Sequence, residues 1–246
     1  MAGDWIRNPR VNSFALSHQG CKRGNNEDNF MQDGALHVWA VADGMGGHND
    51  GEIASKVALE TFRAELISGV GLNQAILAAN TDVSSQNTRP QDNMGTTLVS
   101  LRLDPATARW ESAWVGDSRL YLCRDGQLSQ LTRDHTLAND LIANGLLSED
   151  EAETHPMRHR LTRALGGGSQ EHDLVVDQLG GDCQPGDRFL LCSDGLSGVI
   201  DLAGLQEALS ATEVGIDLVA HRLLQQTLNA GAPDNVTLII VEWKAQ

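Results

Sequence analysis

Carboxylates at the ends of apolar runs are the first chemical feature of this 246-residue sequence. Five Asp-Gly dipeptides occur, at Asp33, Asp43, Asp50, Asp125 and Asp194. An Asp-Gly pair ordinarily makes a turn. Asp33 and Asp125 lie between alternating segments, where the turn reading suffices. Asp43 and Asp194 instead close continuous apolar runs, HVWAVADG and RFLLCSDG. A carboxylate there is held at the rim of the core, and burying it unpaired is costly. A cation offsets that cost. The glycine that follows lets the backbone carbonyl turn toward the same ion and leaves room for a substrate. Asp234 directly precedes the apolar run VTLIIV, and Glu27-Asp28, in RGNNEDNF, directly precedes the first predicted hairpin. Acidic positions at strand ends, far apart in sequence, suit a binuclear Mg²⁺ or Mn²⁺ site, since those ions take oxygen ligands and keep several waters.

Elements with clear local signatures must position these groups. Residues 11–17 alternate as a strand, and residues 36–42 form an apolar run suited to a buried one. Ala54, Val57, Ala58, Phe62 and Leu66 recur at helical spacing over 52–67, and a second helix is predicted over 72–87. Strands follow at 96–103 and 109–115, joined by the turn-forming DPATA. A hairpin pairs 119–124 with 127–131 across Asp125-Gly126. From 135 to 159 the pattern is polar and helical, with a capping box of Ser148 and Glu151. Strands return at 174–179, 189–192 and 236–243, and an amphipathic helix spans 214–228. Strands and helices do not alternate strictly, which predicts antiparallel sheets covered by helices rather than a parallel doubly wound sheet. No internal repeat or low-complexity linker divides the chain, so one domain over 1–246 is expected.

Composition narrows the function classes. The net charge is −15, from 18 basic and 33 acidic residues. Such a surface repels nucleic acid and anionic membrane, so neither is expected as a partner. The four cysteines, Cys21, Cys123, Cys183 and Cys192, show no C-x-x-C spacing and imply a reducing compartment. The first residues lack a signal-peptide pattern, and no apolar run approaches the roughly 20 residues of a membrane span. A cytoplasmic protein is expected, with a monomer as the default.

Eight segments then occur in order: RGNNEDNF (23–30), VADGMGGHNDGE (41–52), GTTLV (95–99), VGDSRLYL (115–122), LTRDHT (131–136), LTRALG (161–166), LLCSDGLSG (190–198) and DNVTLIIV (234–241). The series resembles the protein phosphatase 2C-like (PPM) family in its bacterial form, over about residues 12–243. The resemblance implies an α+β fold: a β-sandwich of two antiparallel sheets flanked by helices on both sides, in α-β-β-α layers, with the metals in a cleft at one end. It implies that Asp43 bridges two metals, that Glu27 and the Gly44 carbonyl serve the second, and that Asp194 and Asp234 complete the first. Asp117 would hold a weaker third metal together with Asp194. Arg23 would grip the substrate phosphate with its guanidinium fork. Arg23, Asp43 and Asp194 are thus the expected catalytic residues.

The implied reaction is hydrolysis of phosphoserine and phosphothreonine in proteins by a metal-bridging hydroxide, formed between ions about 3.5–4 Å apart. The expected partners are phosphorylated proteins, with a bacterial Ser/Thr kinase acting in opposition. Met45 stands where related eukaryotic proteins often carry a histidine proposed as general acid. A metal-bound water, or less directly His48, would then protonate the leaving oxygen. Residues 136–160 would form a flap beside the cleft, with His155, His159 and Arg160 near a phosphopeptide. Three rival readings carry different signatures. A dead binding module should lack one of these carboxylates, and none is missing. A small-phosphoester phosphatase would share the same metal site. A calcium-binding structural protein should show EF-hand spacing, and none occurs.

Overall fold

The computed structural model describes residues 3–7, 10–46, 50–87, 94–153, 155–167 and 174–244. Two six-stranded antiparallel sheets pack face to face. The first runs in the order β1 (Asp4–Arg7), β2 (Val11–His18), β12 (Val236–Trp243), β11 (Arg188–Cys192), β8 (Arg119–Arg124) and β9 (Gln127–Gln130). The second runs β10 (Asp177–Asp182), β7 (Arg109–Val115), β6 (Leu98–Asp104), β4 (Val38–Met45) and β3 (Asp28–Asp33), with the two-residue β5 (Gly95–Thr96) pairing onto β4. Helices α1 (Asp50–Ile67) and α2 (Leu72–Gln86) cover the second sheet. Helices α6 (Leu202–Ser210) and α7 (Ile216–Asn229) cover the first. The expected α-β-β-α sandwich is therefore present.

Side-chain alternation on the strands builds three apolar layers. Trp39, Val41, Val99, Leu101, Leu120, Phe189, Leu191 and Ile239 fill the space between the sheets. Even-numbered β4 residues, Val38, Ala40 and Ala42, face outward, where small side chains let α1 lie close with Ala54, Ala58 and Phe62. Phe62 is fully buried, and its truncation to Ala would cost about 3–5 kcal/mol. On the other side, Ile216, Val219, Ala220, Leu223 and Leu224 of α7 pack on Leu16, Leu238 and Ile240. The Asp125-Gly126 turn has positive φ at both residues, 51° and 76°, which suits the twist of the β8–β9 hairpin.

Several expectations change. β4 runs on through Asp43 to Met45, so Asp43 lies within a strand rather than beyond its end. The strand expected at 174–179 is displaced to Asp177–Asp182 by its pairing with β7, which sets Asp177 opposite Trp114. β1 and α6 carried no clear signal in the sequence reading. The polar 135–159 stretch holds two short helices, α3 (Leu137–Ala143) and α4 (Glu149–Glu153). The Ser148–Glu151 box is formed in both directions, at 2.9 and 3.3 Å. The last helix near the site is α5 (Asp194–Ser197), a single turn after β11. No described helix is long and apolar enough to cross a membrane.

Candidate metal centre

The ends of β3, β4, β11 and β12 meet at one rim of the sandwich, and the predicted carboxylates meet with them. Asp28 and Asp43 are direct cross-strand partners in the β3–β4 pair. Asp194 leaves β11 at the start of α5, and Asp234 lies two residues ahead of β12. Asp117 sits in the turn between β7 and β8. Glu27 lies just ahead of β3, and its carboxylate rests on Gly51, where a Cβ would come within 2.2 Å of Oε2. The first turn of α1 thus presents its positive dipole end to Glu27. Gly44 is equally constrained: a Cβ there would lie 2.0 Å from the Gly51 carbonyl oxygen and 2.6 Å from that of Glu27.

Asn235 stitches this rim together. Its Oδ1 accepts from the Glu27 amide at 2.8 Å, and its Nδ2 donates to the carbonyls of Gln19 and Asn25, each at 2.9 Å. Ser193 Oγ donates to Asp28 Oδ2 at 2.7 Å and accepts from the Thr237 amide at 3.0 Å. Arg23 donates to Asp234 Oδ2 at 2.6 Å, and both side chains are substantially exposed.

The electrostatics are those of crowded like charge. Burial pushes Asp43 well above the usual carboxylate range, and the charges of Asp28, Asp194, Asp117 and Asp234 push it further. Burial raises Asp28 to about 7 against the opposing hydrogen bond from Ser193. Asp117 also rises to about 7, through burial and then the charge of Asp194. Asp194 is raised by burial and by Asp234, while His159 acts in the opposite sense. Asp28 Oδ1 is buried with no hydrogen-bond partner. Such a set is expensive unless something positive answers it.

The donor chemistry fits hard divalent cations. Every candidate ligand is a carboxylate or carbonyl oxygen. Among the described residues, no group of three or more His, Cys, Asp or Glu side chains could by itself hold a metal ion. Mg²⁺-like ions do not need such a cage, because they bind through one or two carboxylates and keep waters. The open, oxygen-only rim suits that mode and does not suit zinc.

Beside the rim stands the predicted flap. Its roots join in an isolated bridge between Thr136 and Leu161, with Leu137 N donating to Arg160 O and Thr162 N to His135 O, both at 2.9 Å. Asp177 of β10 holds both roots. Its carboxylate lies 2.9 Å from Arg163 and 3.3 Å from His135 Nε2. His135 Nδ1 in turn accepts from the Gly116 amide at 3.0 Å, beside Asp117. His48 lies outside the described residues.

All the predicted site residues are therefore gathered at one rim, with Arg23 engaged to Asp234. Sequence reasoning missed the central place of Asp28, which it had counted only together with Glu27. It also missed the tethers Asn235 and Ser193. A hint lay in Asn235 and Ser193 directly adjoining Asp234 and Asp194.

Fold and rim together define a sandwich protein built to collect carboxylates around hard cations. A family model described as Protein phosphatase 2C matches residues 22–231, and the chain belongs to that family. It is 37% identical over 238 residues to the serine/threonine protein phosphatase PstP of Mycobacterium tuberculosis, covering 93% of this chain and 44% of that protein. It is 33% identical over 240 residues to the serine/threonine phosphatase stp of Listeria innocua, covering 91% of this chain and 92% of that one. The chain thus spans less than half of the mycobacterial relative and nearly all of the listerial one. The crystal structure of M. tuberculosis PstP/Ppp matches with a TM-score of 0.85 at 36% identity, over 96% of this chain and 100% of that one. The PstP catalytic domain in complex with two manganese ions matches with a TM-score of 0.80 at 34% identity, over 96% and 99%.

Proposed function

We propose that this chain is a metal-dependent protein serine/threonine phosphatase, a phosphoric monoester hydrolase acting on phosphoserine and phosphothreonine. The observation that carries the reading is the rim itself: buried, mutually repelling carboxylates with oxygen-only donors beside an exposed arginine. When bound, two Mn²⁺ or Mg²⁺ ions supply the Lewis acidity that activates water for direct attack on phosphorus. Asp43 would help hold both ions, Asp194 and Asp234 the first, and Glu27 and the Gly44 carbonyl the second. Asp117 and Asp194 would offer a weaker third position. Asp28 holds the floor of the site and is braced by Ser193.

Arg23 spends part of its guanidinium on Asp234, and its remaining N–H donors are available to phosphate oxygens. Residues 1–246 form one phosphatase 2C-like domain with a flap over about 136–160. The substrates are phosphorylated proteins, the opposing enzyme is a bacterial Ser/Thr kinase, and the chain acts as a cytoplasmic monomer. The deciding experiment is hydrolysis of p-nitrophenyl phosphate and a phosphothreonine peptide with Mn²⁺, Mg²⁺ or EDTA, beside Asp194→Asn. Metal-dependent phosphate release that EDTA and the variant both abolish is expected. A folded protein inactive with every metal overturns the assignment.

A further inference from the structure

The flap encloses, together with the carboxylate rim, a cavity of about 760 Å³. Asp117 and Asp194 line its catalytic end, Ala138 and Ile142 line its flap wall, and Arg133, Arg158 and His159 also face it. The two guanidiniums, those of Arg133 and Arg158, stand out in a chain of net charge −15.

With Asp117 and Asp194 taken up by bound metal ions, the other charged groups of the cavity leave these two guanidiniums in excess. Arg119 is consumed by Asp134, which it meets through Nε and Nη2 at 2.7–3.0 Å. Asp117 and Asp194 belong to the metal centre. That leaves Glu149 as the one acid of the lining not assigned to a partner or an ion. Arg133 donates to the Asn139 carbonyl and is otherwise exposed. Arg158 and His159 are exposed and have no side-chain hydrogen bond or ion pair among the described residues. Exposed guanidiniums beside an apolar wall favour a carboxylate or phosphoryl partner, because the wall reduces the competing solvation. A volume of this size holds several residues rather than one side chain.

We propose that this cavity is a second anion subsite, which takes an acidic or phosphorylated side chain of the substrate polypeptide near the phosphoresidue at the metal centre. The inference rests on the phosphatase reading and names its substrate class: acidic or multiply phosphorylated segments. The second anion is therefore placed about two to four residues from the phosphothreonine, an extended reach of roughly 7–13 Å.

The test uses three phosphothreonine peptides that differ at one position within that spacing, carrying Ala, Glu or phosphoserine. Dephosphorylation of the phosphothreonine is followed by mass, binding by fluorescence anisotropy, and p-nitrophenyl phosphate serves as the control substrate. The intact chain should favour the Glu or phosphoserine peptide by about tenfold, the worth of one charge-assisted contact. Added salt should shrink that preference. Arg158→Ala should bring the peptides to within about twofold while leaving p-nitrophenyl phosphate hydrolysis unchanged, and Arg133→Ala should do so more weakly. Preference for phosphoserine alone assigns the subsite to a phosphoryl group, and equal preference for Glu assigns it to any anion. Equal handling of all three peptides by the intact chain, or a preference untouched by Arg158→Ala, overturns the proposal. Should folded protein fail on every substrate, the phosphatase reading falls, and anisotropy still decides the subsite. Tighter binding of the anionic peptides that Arg158→Ala abolishes supports it, and equal binding refutes it.

Discussion

Two regions of this molecule bury charge, and they do so in opposite ways. Arg188 is 2% exposed and fully answered. It donates to Glu242 at 2.9–3.0 Å and to the carbonyls of Leu209, Ala211, Thr212 and Val214 at 2.8–3.2 Å. It thereby ties the end of α6 and the connection to α7 onto β11. At the candidate metal centre, Asp28, Asp43, Asp117 and Asp194 lie close together without a fully buried cation among the described side chains. The first arrangement spends desolvation on architecture. The second leaves it uncompensated among the side chains, a balance that an ion from outside would supply.

The strongest way to break this contrast is Asp43→Asn or Asp194→Asn. Each should lower p-nitrophenyl phosphate turnover by at least ~10²–10³-fold. In EDTA each variant should melt above the intact chain, because a buried repulsion is removed. Retained activity, or a lower melting temperature in EDTA, would count against the contrast.

Arg188→Ala tests the other pole. It should cost on the order of 3–5 kcal/mol by leaving Glu242 and four carbonyls without their donor. At this size that corresponds to a fall of roughly 6–20 °C in Tm. Turnover per folded molecule at 25 °C should hold. A loss below ~1 kcal/mol in urea titration would show the pairing to be dispensable.

Acidity sharpens the comparison next. Folded Asp28 and Asp117 keep their protons up to about pH 7, whereas unfolded carboxylates release theirs near ~3.9. Between those values the native state binds more protons. Stability in EDTA should therefore fall as pH rises from about 4 to about 7, by up to roughly 4 kcal/mol for each of the two groups, and then level off. Saturating Mn²⁺ should remove that decline, since the ion binds the ionised carboxylates. Urea midpoints across the range measure both curves, and a flat EDTA curve would refute the crowding.

The smallest effect belongs to an exposed pair. Arg102 bridges Glu111 on the second sheet with both side chains more than a third exposed. Arg102→Ala should change stability by no more than ~1 kcal/mol. A loss comparable to that of Arg188→Ala would erase the distinction between buried and exposed pairing.

How far the sequence foretold these regions depends on the range of the cause. Asp194 and Asp234 were legible because the strands beside them are continuous apolar runs. β12 was placed at its observed bounds for the same reason, and β7 because the turn-forming DPATA ahead of it marks its start. β10 was misplaced because its own residues form a weak strand. Gly180 and Gly181 are suited to the close pass over Trp110, whose carbonyl oxygen and ring nitrogen a Cβ would each meet at 3.0 Å. The apolar Leu174–Val175 stretch beforehand drew the reading toward itself, although Val175 is 60% exposed. Asp28 was undervalued because its importance comes from facing Asp43 across a strand pair, a long-range register that no local pattern encodes. The partners of Arg188 were invisible for the same reason, since four of them are backbone carbonyls of the end of α6 and the connection that follows it.

The grip of Asp177 on both roots of the flap has a consequence for motion. Within α3 the only buried side chain is Ala138, so little holds that helix down. The Thr136–Leu161 bridge is braced from β10 through Arg163 and His135. Amide protons inside the flap should therefore exchange through small local openings, while those of Leu137 and Thr162 wait for much larger ones. The 137–160 segment would fluctuate outward from a fixed base without loosening the turn that carries Asp117.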